Sequence, residues 1–220
     1  MKRLTILGTL FLLLPWPKAL QAQDLALGVR VGTLGLGAEA ALGVSDRLVF
    51  RGGLGSFILE LDGDYDGIGY TVTPPSLTGT LGVDLYPTGG SFRLMAGMMF
   101  REGDFELESE DLADADGVEI GNQEYDQDGT LSGALATSSA APFLGLGFGR
   151  HTAAGFGVFM DFGVAFVGDP EVSLQADGAI ASAPNIQENL DLEARNLEED
   201  AGDYLKFWPI LSLGVKIPLG

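Results

Sequence analysis

From Phe156 to Phe166 every second residue is large and apolar: Phe156, Val158, Met160, Phe162, Val164 and Phe166. Between them stand Gly157, Asp161, Gly163 and Ala165. Period-two alternation puts the two sets on opposite faces of an extended strand. One face is bulky hydrocarbon, and the other is glycine with a single charge. A soluble β-sandwich also alternates, but its outward face is dense with residues such as Thr, Lys and Glu. Runs of about ten residues with aromatic ends match one crossing of a bilayer. Lipid offers no hydrogen bonds, so every backbone group must be paired and the sheet must close on itself.

The pattern recurs along the chain. Leu48, Phe50 and Leu54 oppose Arg47, Arg51, Gly53 and Gly55. Leu77, Leu81, Val83 and Leu85 oppose Thr78, Thr80, Gly82, Asp84 and Tyr86. Phe92, Leu94, Ala96, Met98 and Phe100 oppose Arg93, Gly97 and Arg101. Leu144, Leu146 and Phe148 oppose Phe143 and three glycines, and Phe207 to Ile217 alternates against Lys206, Ser212, Gly214 and Lys216. Leu34 to Val44 alternates as well, with Leu34, Leu36, Ala38, Ala40, Leu42 and Val44 expected on one face and Glu39 on the other. This run contains Gly35-Leu36-Gly37-Ala38-Glu39-Ala40, the spacing of a dinucleotide phosphate loop. Such a loop needs an amphipathic helix after it. Here Leu42-Gly43-Val44-Ser45-Asp46 follows, a strand end and a turn, so the stretch reads as a strand.

The first 22 residues read as a signal peptide, with Lys2 and Arg3 before an uncharged stretch from Leu4 to Leu14 and a small-residue site ending at Ala22. The barrel domain is then expected over residues 23–220. Without Lys2, Arg3 and Lys18, nine basic residues face 31 acidic ones, a net charge of −22. Such a chain repels nucleic acid. Yet 46% of its residues are hydrophobic, which fits a chain that segregates its acids. They cluster over residues 62–66, 102–128 and 188–203. No Cys is present, so packing and hydrogen bonds alone must hold the fold.

The expected fold is all-β: a closed antiparallel transmembrane β-barrel of about eight strands. Seven runs are clear, and either Leu25 to Val31 or Glu171 to Ile180 supplies the eighth. Ser45-Asp46, Pro87 to Gly90 and Arg150 to Ala154 are short turns, expected on the periplasmic side, while the acidic segments form long outer loops. The phrases VGTLGLGAEAALGVSDRL, LGVDLYPTGGSFRLMAG, APFLGLGFG and KFWPILSLGVK resemble segments of a family of small Gram-negative outer-membrane β-barrel proteins, similar in architecture to the transmembrane domain of outer membrane protein A. The resemblance implies a cell outer-membrane location, insertion by the barrel-assembly machinery, contact with lipid and lipopolysaccharide, and a monomer. Members commonly end in an aromatic residue read by that machinery. This sequence closes on Ile217-Pro218-Leu219-Gly220, so a weaker assembly signal is expected.

By parity Glu39, Arg47, Arg51, Asp84, Arg93, Arg101, Asp161, Lys206 and Lys216 face the lumen. Buried charges are costly unless paired, so Glu39, Arg51, Asp84, Arg93, Asp161 and Lys216 are expected to form a network, with Asp161 touching Arg51, Arg93 or Lys216. The interior of an eight-stranded barrel is just filled by side chains. A plugged, structural core follows; a narrow gated pore lined by Arg51, Arg93, Asp84 and Asp161 is the alternative. The single His, His151, is expected as a solvated turn residue, and with no catalytic constellation around it the chain is read as non-enzymatic.

Asp62-Gly63-Asp64-Tyr65-Asp66-Gly67 copies the first half of an EF-hand loop, but Thr73 stands where position 12 needs a bidentate Glu. At most a weak Ca2+ site at Asp62, Asp64 and Asp66 is expected, and otherwise no cofactor. The twelve acids over residues 102–128 read as a solvated loop, or as divalent bridges to lipopolysaccharide phosphates. Residues 185–203 read as an amphipathic helix with Ala183 as N-cap and Pro184 at its first position. Its stripe of Ile186, Leu190, Ala194, Leu197 and Ala201 is expected to lid one barrel mouth.

Overall fold

Alternating runs become strands that pair edge to edge until the first meets the last. The computed structural model describes residues 25–57, 61–65, 68–112, 117–151 and 154–219; the signal peptide expected over residues 1–22 lies outside them. The strands are β1 (Leu25–Gly32), β2 (Leu36–Ser45), β3 (Leu48–Ser56), β4 (Leu61–Tyr65), β5 (Ile68–Thr73), β6 (Leu77–Leu85), β7 (Phe92–Glu102), β8 (Phe105–Ser109), β9 (Val118–Ile120), β10 (Gln123–Tyr125), β11 (Gly129–Ala136), β12 (Ala140–Phe148), β13 (Gly157–Phe166) and β14 (Glu171–Gly178). Helix α1 (Ile186–Leu205) and β15 (Phe207–Pro218) follow.

Eight strands close a barrel in the order β1-β15-β13-β12-β7-β6-β3-β2, each antiparallel to its neighbours. The eighth strand is β1, Leu25–Gly32. The other candidate, Glu171 to Ile180, instead supplies β14 of a second sheet. Facing follows parity. Leu36, Leu81, Leu94, Phe162 and Leu213 are exposed on the outer wall, while Glu39, Asp84, Arg93, Asp161 and Lys216 are buried inside. Such an inside-out distribution over a closed sheet suits a hydrocarbon solvent. Aromatic pairs mark both rims: Phe92 with Phe148 at one end, and Phe166 with Phe207 at the other. Among the described residues no helix is long and apolar enough to cross a membrane.

Leu34 departs from the expected outer face. Gly35 turns the chain with φ of +79°, so the strand starts only at Leu36, and Leu34 is buried inside the mouth. Arg47 also departs: the turn between β2 and β3 leaves it exposed rather than in the lumen.

At one end the barrel connections are short turns. At the other, the long acidic segments are not open loops. They build a five-stranded sheet, β14-β11-β8-β5-β4, and a β9–β10 ribbon. The reason is local alternation: Phe105, Leu107 and Ser109 interleave with Glu106 and Glu108, which is a strand pattern. Helix α1 packs on β14 and the ribbon, through Ile186 and Leu190 against Val118, Ile120, Tyr125 and Leu174. It therefore covers the apolar face of the outer sheet rather than lidding the barrel mouth. It starts at Ile186, because Asn185 adopts a left-handed φ of 62° and breaks the run from Pro184. Asn189 ties the helix to the ribbon, donating to the Tyr125 hydroxyl at 2.9 Å and accepting from the Asn122 N–H at 3.2 Å. Glu198 accepts from the Val172 N–H at 2.7 Å, which caps the edge of β14.

Candidate functional site

The lumen is filled in two layers. The layer nearer the short turns is charged. Arg51 on β3 reaches across to Asp161 on β13 at 2.6 Å, and stands 3.4 Å from both Asp84 and Glu39. Arg93 on β7 pairs with Asp161 and lies 3.2 Å from Asp84. Asp161 thus sits between two guanidinium groups and also accepts from the Ser212 hydroxyl at 3.2 Å. Both arginines and all three carboxylates are almost wholly buried. A buried pair is tolerated only when its remaining donors and acceptors are met. Here Arg93 also donates to the Gly149 carbonyl, and Arg51 to the Met95 sulfur at 3.0 Å, while Arg93 Nε and Asp84 Oδ2 face each other as an ion pair without a hydrogen bond among the described residues.

Glycine makes the room. A Cβ on Gly147 would lie 2.5 Å from Arg93 Nε, and one on Gly214 would lie 2.2 Å from the Phe159 ring. The Phe159 ring in turn stacks within 5.8 Å of the Arg93 guanidinium. The glycine-plus-charge face is therefore one packed unit, in which missing side chains on one strand seat long ones from another.

His151 is not a solvated turn residue. It is buried beneath this layer, with Nε2 at 2.7 Å from Glu39 Oε1 and Nδ1 at 3.4 Å from the Tyr86 hydroxyl. In the tautomer with the proton on Nε2, the ring donates to Glu39 and accepts from Tyr86. The turn folds inward because Arg150 is anchored to the carbonyls of Gly89 and Asp46 in the two neighbouring turns.

The layer nearer the outer sheet is apolar. Leu34, Met95, Met99, Phe143, Val167, Trp208 and Ile210 form one buried cluster, with Phe57 and Phe105 packed on it. Phe105 comes from the outer sheet and stacks on Trp208 at 5.1 Å. Trp208 donates its indole N–H to the Thr33 carbonyl at 3.0 Å.

The remaining predicted residues scatter. Lys216 faces the lumen but stands apart from Asp161, donating to the Gly155 carbonyl at 3.1 Å. Arg101 is bound at the mouth to the carbonyls of Gly103 and Thr137, both at 2.6 Å. Lys206 sits at the rim, 3.1 Å from Asp169, not in the lumen. Arg30, which sequence parity missed, is buried on the inner face of β1, and its Nε and Nη2 make no hydrogen bond among the described residues. Asp62 and Asp64 lie in β4, an extended hairpin strand rather than a loop, where Asp62 accepts from the Thr71 hydroxyl at 3.2 Å. Asp66 lies outside the described residues. Among those described, no group of three or more His, Cys, Asp or Glu is placed to hold a metal ion.

The closed antiparallel wall, apolar outside and charge-packed inside, defines the architecture of a small outer-membrane β-barrel. Among solved structures the chain is similar to CarO of Acinetobacter baumannii, with a TM-score of 0.64 and 22% identity over 87% of this chain and 96% of that one. It is similar also to CarO2 of the same organism, with a TM-score of 0.64 and 21% identity over 88% and 97% of the two chains. These likenesses establish the fold. No protein-family model matches the sequence, and no curated protein matches it.

Proposed function

We propose that this chain is a non-enzymatic, integral protein of the Gram-negative outer membrane, whose barrel anchors and orients the acidic outer sheet for a structural or interaction role. The observation that carries the reading is the filled lumen: a charge network and an apolar cluster stand in series along it. The lipid-facing wall supports the membrane location, and the acidic strands suit the outer side, where loops of such barrels are long. The contacts of the sole His support the non-enzymatic reading, since its ring is engaged by Glu39, Tyr86 and Phe159. On this reading the barrel is a monomer surrounded by lipid and lipopolysaccharide, placed there by the barrel-assembly machinery.

Single-channel recording in planar bilayers tests it against the gated pore. The folded protein, verified by its heat-dependent gel mobility, should give no conductance steps. Stable steps would replace the structural reading with the pore.

A further inference from the structure

Helix α1 and the β9–β10 ribbon do not cover the apolar face of the outer sheet completely. A cleft of about 470 Å3 remains between them, within the size range of small-molecule sites. Leu107, Leu131 and Leu174 of the sheet, Ile120 of the ribbon, and Leu190 and Leu197 of the helix line it. Leu197 stands at the open edge of the cleft, 41% exposed. The charged residues that border it are all acids: Glu193 on the helix, with Glu119 and Asp62 at its rim on strand positions that alternate with the cleft-lining Val118, Ile120 and Val72; no Lys or Arg is among the described residues that line it.

We propose that this cleft binds small amphiphilic cations, alkyl- or aryl-ammonium compounds whose hydrocarbon enters between sheet and helix while the positive head stays near the carboxylates. The two halves of the argument are separable. Burying hydrocarbon against leucines supplies the affinity. The one-signed acids, on a strongly acidic chain, supply the selectivity by repelling anions and attracting cations. Glu193 also accepts from the Gly121 N–H at 3.2 Å, so it holds the ribbon as well as contributing charge. The exposed Glu119 is therefore the cleaner position to test. The inference is independent of whether the lumen conducts.

The test uses the protein in nanodiscs of zwitterionic lipid, titrated calorimetrically with 4-phenylbutylammonium, 4-phenylbutanol and 4-phenylbutyrate, with empty discs subtracted. The ammonium should bind saturably and about tenfold tighter than the carboxylate, with the alcohol between them. Glu119→Gln should narrow that preference about threefold. Leu197→Gln should weaken the ammonium and the alcohol alike by about tenfold. Both sites are exposed, and unchanged heat-dependent mobility confirms that the variants fold. No saturable binding above empty discs, equal affinity for the three probes, tighter binding of the alcohol than of the ammonium, or an unaffected Leu197→Gln would each overturn the proposal.

Discussion

Asp161 carries two arginines at once, so its removal does not delete one contact but leaves two buried cations with less compensation. Breaking a buried pair from one side costs about 3–5 kcal/mol. Asp161→Ala should therefore lower the urea midpoint of the vesicle-folded barrel strongly, and Asp161→Asn, which keeps the shape and part of the hydrogen bonding, should lower it less. An unchanged midpoint in Asp161→Ala would remove the network from the account of stability. Gly147 gives a steric counterpart. A methyl there overlaps Arg93, and overpacking of this kind costs about 1–3 kcal/mol. If Arg93 is the cause, the penalty of Gly147→Ala should shrink in an Arg93→Ala background, read as a non-additive double-mutant cycle. At this scale the sequence revealed the residues whose position within a strand fixes their facing: Glu39, Arg51, Asp84, Arg93 and Asp161. His151 was not legible, because a turn has no period. Its burial depends on Arg150 holding two turns that are distant in sequence. Lys206 and Arg47 depart for the same reason from the other side: each lies just outside its strand, where parity no longer binds the chain.

On a strand, the same residue type has opposite value on the two faces. Leu81 lies mid-strand on the lipid-facing wall, 62% exposed. Leu81→Arg should cost about 2–4 kcal/mol, measured as a urea midpoint shift in vesicles. A null effect there would mean that this wall does not meet hydrocarbon. The helix responds differently. Asn189 bridges α1 to the ribbon through both ends of its amide, and losing a buried hydrogen-bonding group costs about 1–3 kcal/mol. Asn189→Ala should therefore speed amide exchange in α1 and the ribbon while leaving β12 and β13 protected. The barrel strands were legible because each meets unlike media on its two faces. The outer sheet alternates too, as Val172, Leu174 and Ala176 show. Alternation announces a strand without saying which sheet it joins, so β14 competed with β1 for the last barrel position. The helix stripe is likewise readable, but not the surface it covers, since that sheet is assembled from strands far apart in the sequence.

Across the whole molecule, the barrel and the outer sheet are joined at Phe105 on Trp208, where the apolar cluster of the lumen becomes continuous with the outer strands. On the proposed reading the lumen is stopped twice, by charges toward the short turns and by hydrocarbon toward the outer sheet. These stoppers differ in kind. The charged layer is held by ion pairs whose removal leaves polar space that water can enter. The apolar layer excludes water as long as its large side chains remain. Removing either alone leaves the other in place. Arg93→Ala with Asp161→Ala should thus remain silent in planar bilayers, because Trp208, Phe143 and Leu34 still close the path. Trp208→Ala with Phe143→Ala should remain silent too, because the arginine–carboxylate layer is intact. Only the fourfold variant should show conductance, and only while its heat-dependent mobility proves that it is folded. Steps already present in one of the double variants would show that the other layer does not seal. A silent fourfold variant that is folded would place the barrier elsewhere, at Arg101 and the mouth it ties to Gly103 and Thr137.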